Sequence, residues 1–282
     1  MLRLVRTRRP RTFNDKVRYK LLRDHRPLQV TFADKAAMRE HVARVVGVEH
    51  LPVLLGLVDD PDDLLELDLP RTYVVKPTHG SGACVVVSDA APEEARLPPP
   101  VHGWAYALVR PEHVERTHLR DVAAGWLEKR YGRGPNHEWA YGQVEPRILV
   151  EELLEGADGG VPDDHKLFVF HGRCHFVQVD TARFSQRTQD FFDRRWAPLD
   201  MTGGHPRSTA APPRPGRLEE MIDLAERLGA GTDFVRVDLF TLPDRVVVGE
   251  LTSSPAGGDS PFSPPVWNER FGQHWRVPRR YR

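Results

Sequence analysis

Cysteine is scarce. Cys84 and Cys174 are the only two in 282 residues, too few for a disulfide scaffold or a thiolate zinc site. Both lie in hydrophobic segments, so a reducing cytoplasm is the expected setting. No stretch approaches the roughly 18 uncharged apolar residues of a membrane-spanning helix, and the N-terminus lacks the apolar segment of a signal peptide. An excess of one charge is missing too: 40 Lys and Arg balance 40 Asp and Glu. A net charge of zero argues against a general nucleic-acid binder. No internal repeat is found. Neither Gly-Lys-Ser/Thr opening a helix nor Gly-x-Gly-x-x-Gly occurs in the right context, which disfavours two common nucleotide folds.

What is present suffices for one large core or two to three smaller lobes, since 40% of residues are hydrophobic. The basic residues cluster at both ends, in the first twenty positions and in RVPRRYR, and read as solvated termini. An anionic partner is the alternative there. Residues 13–47 carry apolar side chains at helical spacing, and 112–131 read as helical, with Trp126 and a mixed charge pattern. RTYVVKPTHGSGACVVVSD reads as strand, glycine loop, strand. HKLFVF and CHFVQVD flank the short turn HGR and predict a hairpin. Residues 200–217 form a Pro/Gly-rich loop suited to movement, and LEEMIDLAERLGA is an amphipathic helix closed by Gly229. Mixed helices and antiparallel hairpins predict an α+β fold rather than a βαβ series.

The chemistry concentrates in three places. In FVRVDLF–TLPDR–VVVGEL, alternation puts Arg236 and Asp238 on one face. A five-residue loop, 241–245, would then set Glu250 opposite Arg236 and diagonal to Asp238. Charges converging between apolar walls are costly unless paired or bound to a cation, so the group is either a structural Arg–carboxylate cluster or a magnesium site. In VVKPTHGSG, Lys76 precedes His79, Gly80, Ser81 and Gly82, a loop whose backbone N–H groups suit phosphate oxygens, although such a turn is often only a turn. In ILVEELLEG and DDHKLFVF, Glu151 and Glu152 end an apolar strand at a possible hinge, and Asp164 and Lys166 share a strand face.

Taken in order, these segments resemble the ATP-grasp superfamily, and within it the TupA-like branch named for teichuronopeptide biosynthesis. RTFNDKVRYKLL, FADKAAMREHV, VVKPTHGSG, PRILVEELLE, DHKLFVFHGR, FVQVDTARF, FVRVDLF and VGELTSSPAGG carry the likeness, from about residue 11 to about residue 260. The resemblance implies an ATP-grasp fold, with nucleotide held between two α+β lobes built on antiparallel sheets. It divides the chain into an N-terminal helical region (1–72), a small lobe with the glycine loop (73–150) and a C-terminal lobe with the magnesium site (151–282). Lys35 and Lys76 match the phosphate-contacting lysines, and His79 to Gly82 the loop over the phosphates. Glu151, Glu152, Leu153 and Leu154 match the adenine hinge, and Asp164 the ribose carboxylate. Asp238 and Glu250 match magnesium ligands, and Arg236 the arginine at the transferred phosphoryl group. Thr252 stands where ligases of this fold usually carry an Asn, giving a weaker metal ligand. Lys166 and Arg183 lack a firm counterpart and are expected at the acceptor or the phosphoryl group.

The activity implied is ATP- and magnesium-dependent joining of a small-molecule or peptide carboxylate to an amine through an acyl phosphate. The setting implied is the biosynthesis of a surface polymer or specialised metabolite. A kinase on the same fold, a glycosyltransferase and a non-catalytic binding module are the alternatives. No Asp-x-Asp pair supports the glycosyltransferase, and joint retention of Lys35, Lys76, Asp238 and Glu250 speaks against the binding module.

Overall fold

The computed structural model describes residues 9–100, 104–132, 138–156, 160–182 and 186–281. Helix α1 (Phe13–Arg23) begins at a reciprocal cap: the Thr12 hydroxyl accepts from the Asp15 N–H at 3.2 Å while the Asp15 carboxylate accepts from the Thr12 N–H at 3.3 Å. After α2 (Pro27–Ala33), Asp34 caps α3 (Lys35–Val45) by accepting from the Ala36 N–H at 2.9 Å. That cap fixes Lys35 as the first helical residue, at the edge of the cleft described below.

Two five-stranded sheets follow. The first runs β1 (Leu54–Val58), β5 (Ile148–Glu152), β2 (Tyr73–Pro77), β3 (Cys84–Val87), β4 (Tyr106–Val109) in spatial order. Only β3 and β4 pair in parallel. The second is antiparallel throughout, in the order β10 (Val246–Thr252), β9 (Phe234–Thr241), β6 (Asp164–Phe170), β7 (Arg173–Thr181), β8 (Thr188–Asp193). The α+β class and the ATP-grasp arrangement of two sheets expected from the sequence are what the chain adopts. The expected HGR turn is a two-residue connection, with His171 at φ 51° and Gly172 at φ 74°, the left-handed pair that matches strand twist.

Helix α4 (Arg116–Leu127) covers the first sheet, burying Leu119, Val122 and Trp126 against Val75, Val85 and Val150. Helices α3 and α5 (Leu218–Leu228) cover one face of the second, where Met38, Val42, Met221 and Leu224 meet Leu167, Val177 and Val237. Burial of each such side chain contributes about 1.5–3 kcal/mol. Gly229 ends α5 in ordinary right-handed geometry, and a Cβ there would lie 2.5 Å from Val169, so close approach to β6 explains the glycine.

The opposite face of the second sheet is half aromatic and half charged. Phe168, Phe170 and Phe234 pack there with Phe13 of α1, Phe271 of α6 (Val266–Gln273) and Trp275. Phe13 is fully buried and lies 5.1–6.2 Å from six other rings, which ties the N-terminal helix to the C-terminal end of the chain. Further along the same strands the outward positions become Asp164, Lys166, Asp180, Arg236 and Asp238. In β6 the charges therefore precede the apolar run, and in β9 they alternate with core residues.

Residues 9–51 therefore pack on the second sheet, β1 joins the first although it precedes residue 72, and β5 spans the boundary at 150. The loop 200–217 lies along β8: Asp190 accepts from the Ser208 N–H at 3.2 Å, and Trp196 donates to the Pro212 carbonyl at 3.2 Å. Among the described residues no helix is long and apolar enough to cross a membrane.

Candidate active site

A cavity of about 250 Å³ separates the two sheets. Lys35, Lys76, Ser81, Gly82 and Glu151 to Leu154 line it from the first sheet and α3, and Asp164, Lys166, Arg236, Asp238 and Glu250 from the second. Thirteen positions singled out in the sequence thus converge on one space. His79 and Gly80 stand behind the loop, and Thr252 lines a smaller neighbouring cavity. Arg183 lies outside the described residues.

On the first wall the glycine loop is seated on aromatics. Trp104 stacks on Tyr131 and donates its indole N–H to the Ser81 carbonyl at 2.9 Å. His79 Nε2 lies 3.1 Å and 3.0 Å from the Trp126 and Lys129 carbonyls, so it carries the proton there. A Cβ on Gly80 would meet the Trp104 ring at 2.3 Å, so only glycine allows this seat. Gly82 adopts φ +90° with open space around it, leaving its backbone exposed to the cleft. The Lys35 ammonium donates to the Gly80 carbonyl, and its backbone N–H to the Thr78 carbonyl at 3.1 Å, so α3 latches the loop to the other lobe. Burial lowers the Lys35 pKa, partly offset by Glu250.

The end of β5 is clamped as well. Glu151, only 4% exposed, accepts from Arg39 at 2.5 Å and pairs with Lys76. Glu152 accepts from Arg245 of the β9–β10 turn at 2.6 Å. Arg39 and Arg245 were not apparent as site residues in the sequence, because nothing local marks an arginine that reaches across lobes.

On the second wall, Lys166 is the hub of a buried network. It pairs with Asp164 and lies 3.2 Å from Asp180 and 3.6 Å from Asp238. Burial would pull its pKa down, but Asp164, Asp238 and Asp180 outweigh that and hold it above the ordinary lysine value. Arg236 grips Asp238 with two hydrogen bonds of 2.7 Å each and donates to the Thr252 hydroxyl at 3.1 Å. The Thr252 hydroxyl donates in turn to Glu250 at 3.2 Å, so Thr252 orients both neighbours. Burial, the largest influence, and neighbouring Asp164 push Asp238 up to about 6 despite Arg236 and Lys166. Asp180 goes the other way: burial would raise it, yet Lys166, Gln189, Arg187 and Gln178 bring it down to about 2. Asp180 was not singled out in the sequence, although its strand parity with Gln178 was a usable signal.

The expected pairing of Glu250 with Arg236 is corrected by the structure. Val246 pairs with Thr241, so the turn is one residue tighter than a 241–245 loop, and that register alone would have set Glu250 opposite Val237. A bulge between Val248 and Glu250 inserts Gly249, after which Glu250 faces Asp238 and Thr252 faces Arg236. The bulge turns Glu250 out of the apolar core and onto the charged face. Gly249 is required because a Cβ would lie 2.6 Å from the Phe240 ring. Gly249→Ala is expected to destabilise the fold by about 1–3 kcal/mol through overpacking, measurable by urea denaturation. It should also displace the Glu250 carboxylate, because the bulge positions Glu250.

Among the described residues no three His, Cys, Asp or Glu side chains form a metal cage. The donor set nevertheless suits magnesium, which is commonly held by one or two carboxylates together with substrate phosphates. Asp238 and Glu250, facing each other across a ladder, supply two such carboxylates beside lysines placed for phosphate.

The cleft between the two sheets thus carries lysines and a glycine loop on one wall and facing carboxylates on the other. The chain belongs to the TupA-like ATP-grasp family, whose sequence model matches residues 114–276. No curated protein matches the sequence. Solved structures with which it shares a likeness include the ATP-grasp ligase PsnB complexed with minimal precursor, at 14% identity and TM-score 0.41, over 81% of this chain and 54% of that one. A D-alanine–D-alanine ligase from Bacillus anthracis aligns at 16% identity and TM-score 0.40, over 82% and 59%. An L-amino acid ligase from Bacillus licheniformis aligns at 15% and 0.43, over 87% and 49%. The chain spans about half the length of these proteins.

Proposed function

We propose that this chain is an ATP- and magnesium-dependent ligase that joins a carboxylate to an amine. The observation that carries the reading is the convergence of Lys35, Lys76 and the glycine loop with Arg236, Asp238 and Glu250 on one cavity. In this reading Glu151 to Leu154 hold adenine largely through backbone groups, and Asp164 holds the ribose. Lys35, Lys76 and residues 79–82 hold the phosphates. Asp238 and Glu250 hold magnesium, with Thr252 positioning Glu250. Bound magnesium would neutralise phosphate charge.

A substrate carboxylate oxygen attacks the γ-phosphorus, the bond to the bridging oxygen breaks, and ADP leaves. Arg236, already beside Asp238, shares its guanidinium with the transferred oxygens, and Lys166 and Arg183 serve the acceptor side. An amine then attacks the acyl carbon, phosphate departs, and the nitrogen loses a proton to give the amide. Fixed cations lining one cavity are suited to this, since the chemistry needs positioning and charge neutralisation more than a protein nucleophile.

The test is incubation of the purified chain with ATP, magnesium and a mixed pool of amino acids and sugar acids, followed by mass spectrometry. A product equal to two pool members minus water, formed with ADP and absent in Glu250→Ala, is expected. A product heavier by one phosphoryl group would replace ligation with a kinase reaction. Failure to bind ATP would overturn the reading altogether.

A further inference from the structure

A second cavity, of about 180 Å³, opens on the far side of the charged cluster. Arg187 and Arg236 line both cavities, so the two spaces meet at these guanidinium groups. The second one has room for roughly a dozen water-sized positions, enough for a small molecule rather than a folded chain. Its walls include Phe168, Phe191 and Phe262, and its polar lining is Gln178, Arg187, Gln189, His205, Arg236 and Ser260.

Those polar groups have defined directions. Asp180 is ionised and can only accept hydrogen bonds. Gln189 Nε2 donates to it at 2.9 Å, which fixes the amide orientation and turns Gln189 Oε1 away from Asp180. Gln189 is 4% exposed, and that oxygen has no partner among the described residues. It faces Gly203, on which a Cβ would lie 2.2 Å away. Burying an acceptor without a donor costs about 1–3 kcal/mol, so the oxygen is suited to a ligand that donates. Arg187 also gives one N–H to Asp180, at 2.7 Å, while its Nε has no partner among the described residues. The cavity thus presents one free acceptor, one free cationic donor and an aromatic wall.

We infer that this cavity seats the amine substrate of the proposed ligation, and that this substrate is a free α-amino acid with an apolar or aromatic side chain. Its ammonium donates to Gln189 Oε1, its carboxylate pairs with Arg187, and its side chain lies against Phe168, Phe191 and Phe262. The inference rests on the ligase reading for the role of the amine, but the ligand chemistry follows from the cavity itself. An unpartnered carbonyl acceptor and a cationic donor in one cavity suit the two ends of a zwitterion. Gly203 is the residue that lets the Gln189 amide and the Phe191 ring lie where they do, and Gln189 the one that reads the amine.

The test is calorimetric titration of the full chain, with a non-hydrolysable ATP analogue and magnesium present. The probes are L- and D-phenylalanine, L-glutamate, 3-phenylpropionate and 2-phenylethylamine. One phenylalanine enantiomer is expected to bind, and the two analogues lacking an amine or a carboxylate at least tenfold more weakly. Gly203→Ala and the near-isosteric Gln189→Leu should each weaken phenylalanine about tenfold or more while the affinity for the ATP analogue stays as in the unsubstituted chain. Should 3-phenylpropionate match phenylalanine, L-glutamate surpass it, or neither enantiomer bind, the inference fails, and amide formation from the mixed pool would still stand. Phenylalanine binding without any ATP-dependent product would leave the cavity assignment intact and overturn the ligase.

Discussion

Glu250→Gln is expected to lower ATP-dependent ADP release by about 10²–10³-fold, the range seen when one preorganised electrostatic group is removed from a transition state. The substitution keeps the size of the side chain and an oxygen that can accept from Thr252, so the fold should tolerate it. What it removes is a charge. Burial would raise the Glu250 pKa, but Lys35, Arg236 and Lys166 keep it below the ordinary value, so the carboxylate is ionised at neutral pH. Without it Asp238 is the only carboxylate of the facing pair, and its two oxygens are held by Arg236. Lys35 also loses the carboxylate that supports its charge, and its pKa should fall further below the usual lysine value. A coupled assay for ADP, run across magnesium concentrations, checks both consequences. A rate within tenfold of the unsubstituted chain at saturating magnesium would remove Glu250 from the metal site.

The same hairpin shows what could be read from residues alone. Alternation in FVRVDLF placed Arg236 and Asp238 together correctly, because a strand has a fixed two-residue period. The partner of Glu250 was misplaced because the turn is tighter by one residue and the strand then bulges. Both are backbone events, and the bulge needs the close approach of Gly249 to the Phe240 ring. Lys76 carried a local signal, the strand before a glycine loop, whereas Lys35 was reached only through the family resemblance. Arg39, Arg245 and Asp180 act across elements distant in sequence, and no local pattern marks such partners. Nor does sequence proximity show that α1 packs on the C-terminal aromatics, since the six rings around Phe13 come from three later parts of the chain. The fold class was legible from the hairpins, whereas the cross-lobe clamps required the tertiary structure.

Lys166→Met is expected to be the most destabilising single change in the second lobe. Lys166 is 7% exposed and is flanked by Asp164, Asp180 and Asp238. Removing it leaves three buried acids without the ammonium they share, and loss of one partner from a buried ionic network costs about 3–5 kcal/mol. For a chain of this size that corresponds to a fall in melting temperature of roughly 6–20 °C. The pH dependence separates this cause from simple loss of packing. Asp238 has a folded pKa of about 6 against a reference of 3.8, so as pH falls from 7 the folded state takes up its proton first, and this group adds stability. Asp180, at about 2 in the folded state, behaves oppositely: its contribution is complete above its reference value of 3.8 and is lost as pH falls toward 2. Between pH 7.5 and 5 the histidines titrate in both proteins and cancel in the difference, whereas Asp238, beside Lys166, also takes up its proton, and without Lys166 its pKa should rise further. The stability gap between Lys166→Met and the unsubstituted chain should therefore narrow on moving from pH 7.5 to 5. A gap independent of pH in paired thermal melts would show that Lys166 contributes chiefly its packed hydrocarbon stem, and that the three acids are balanced by the arginines alone.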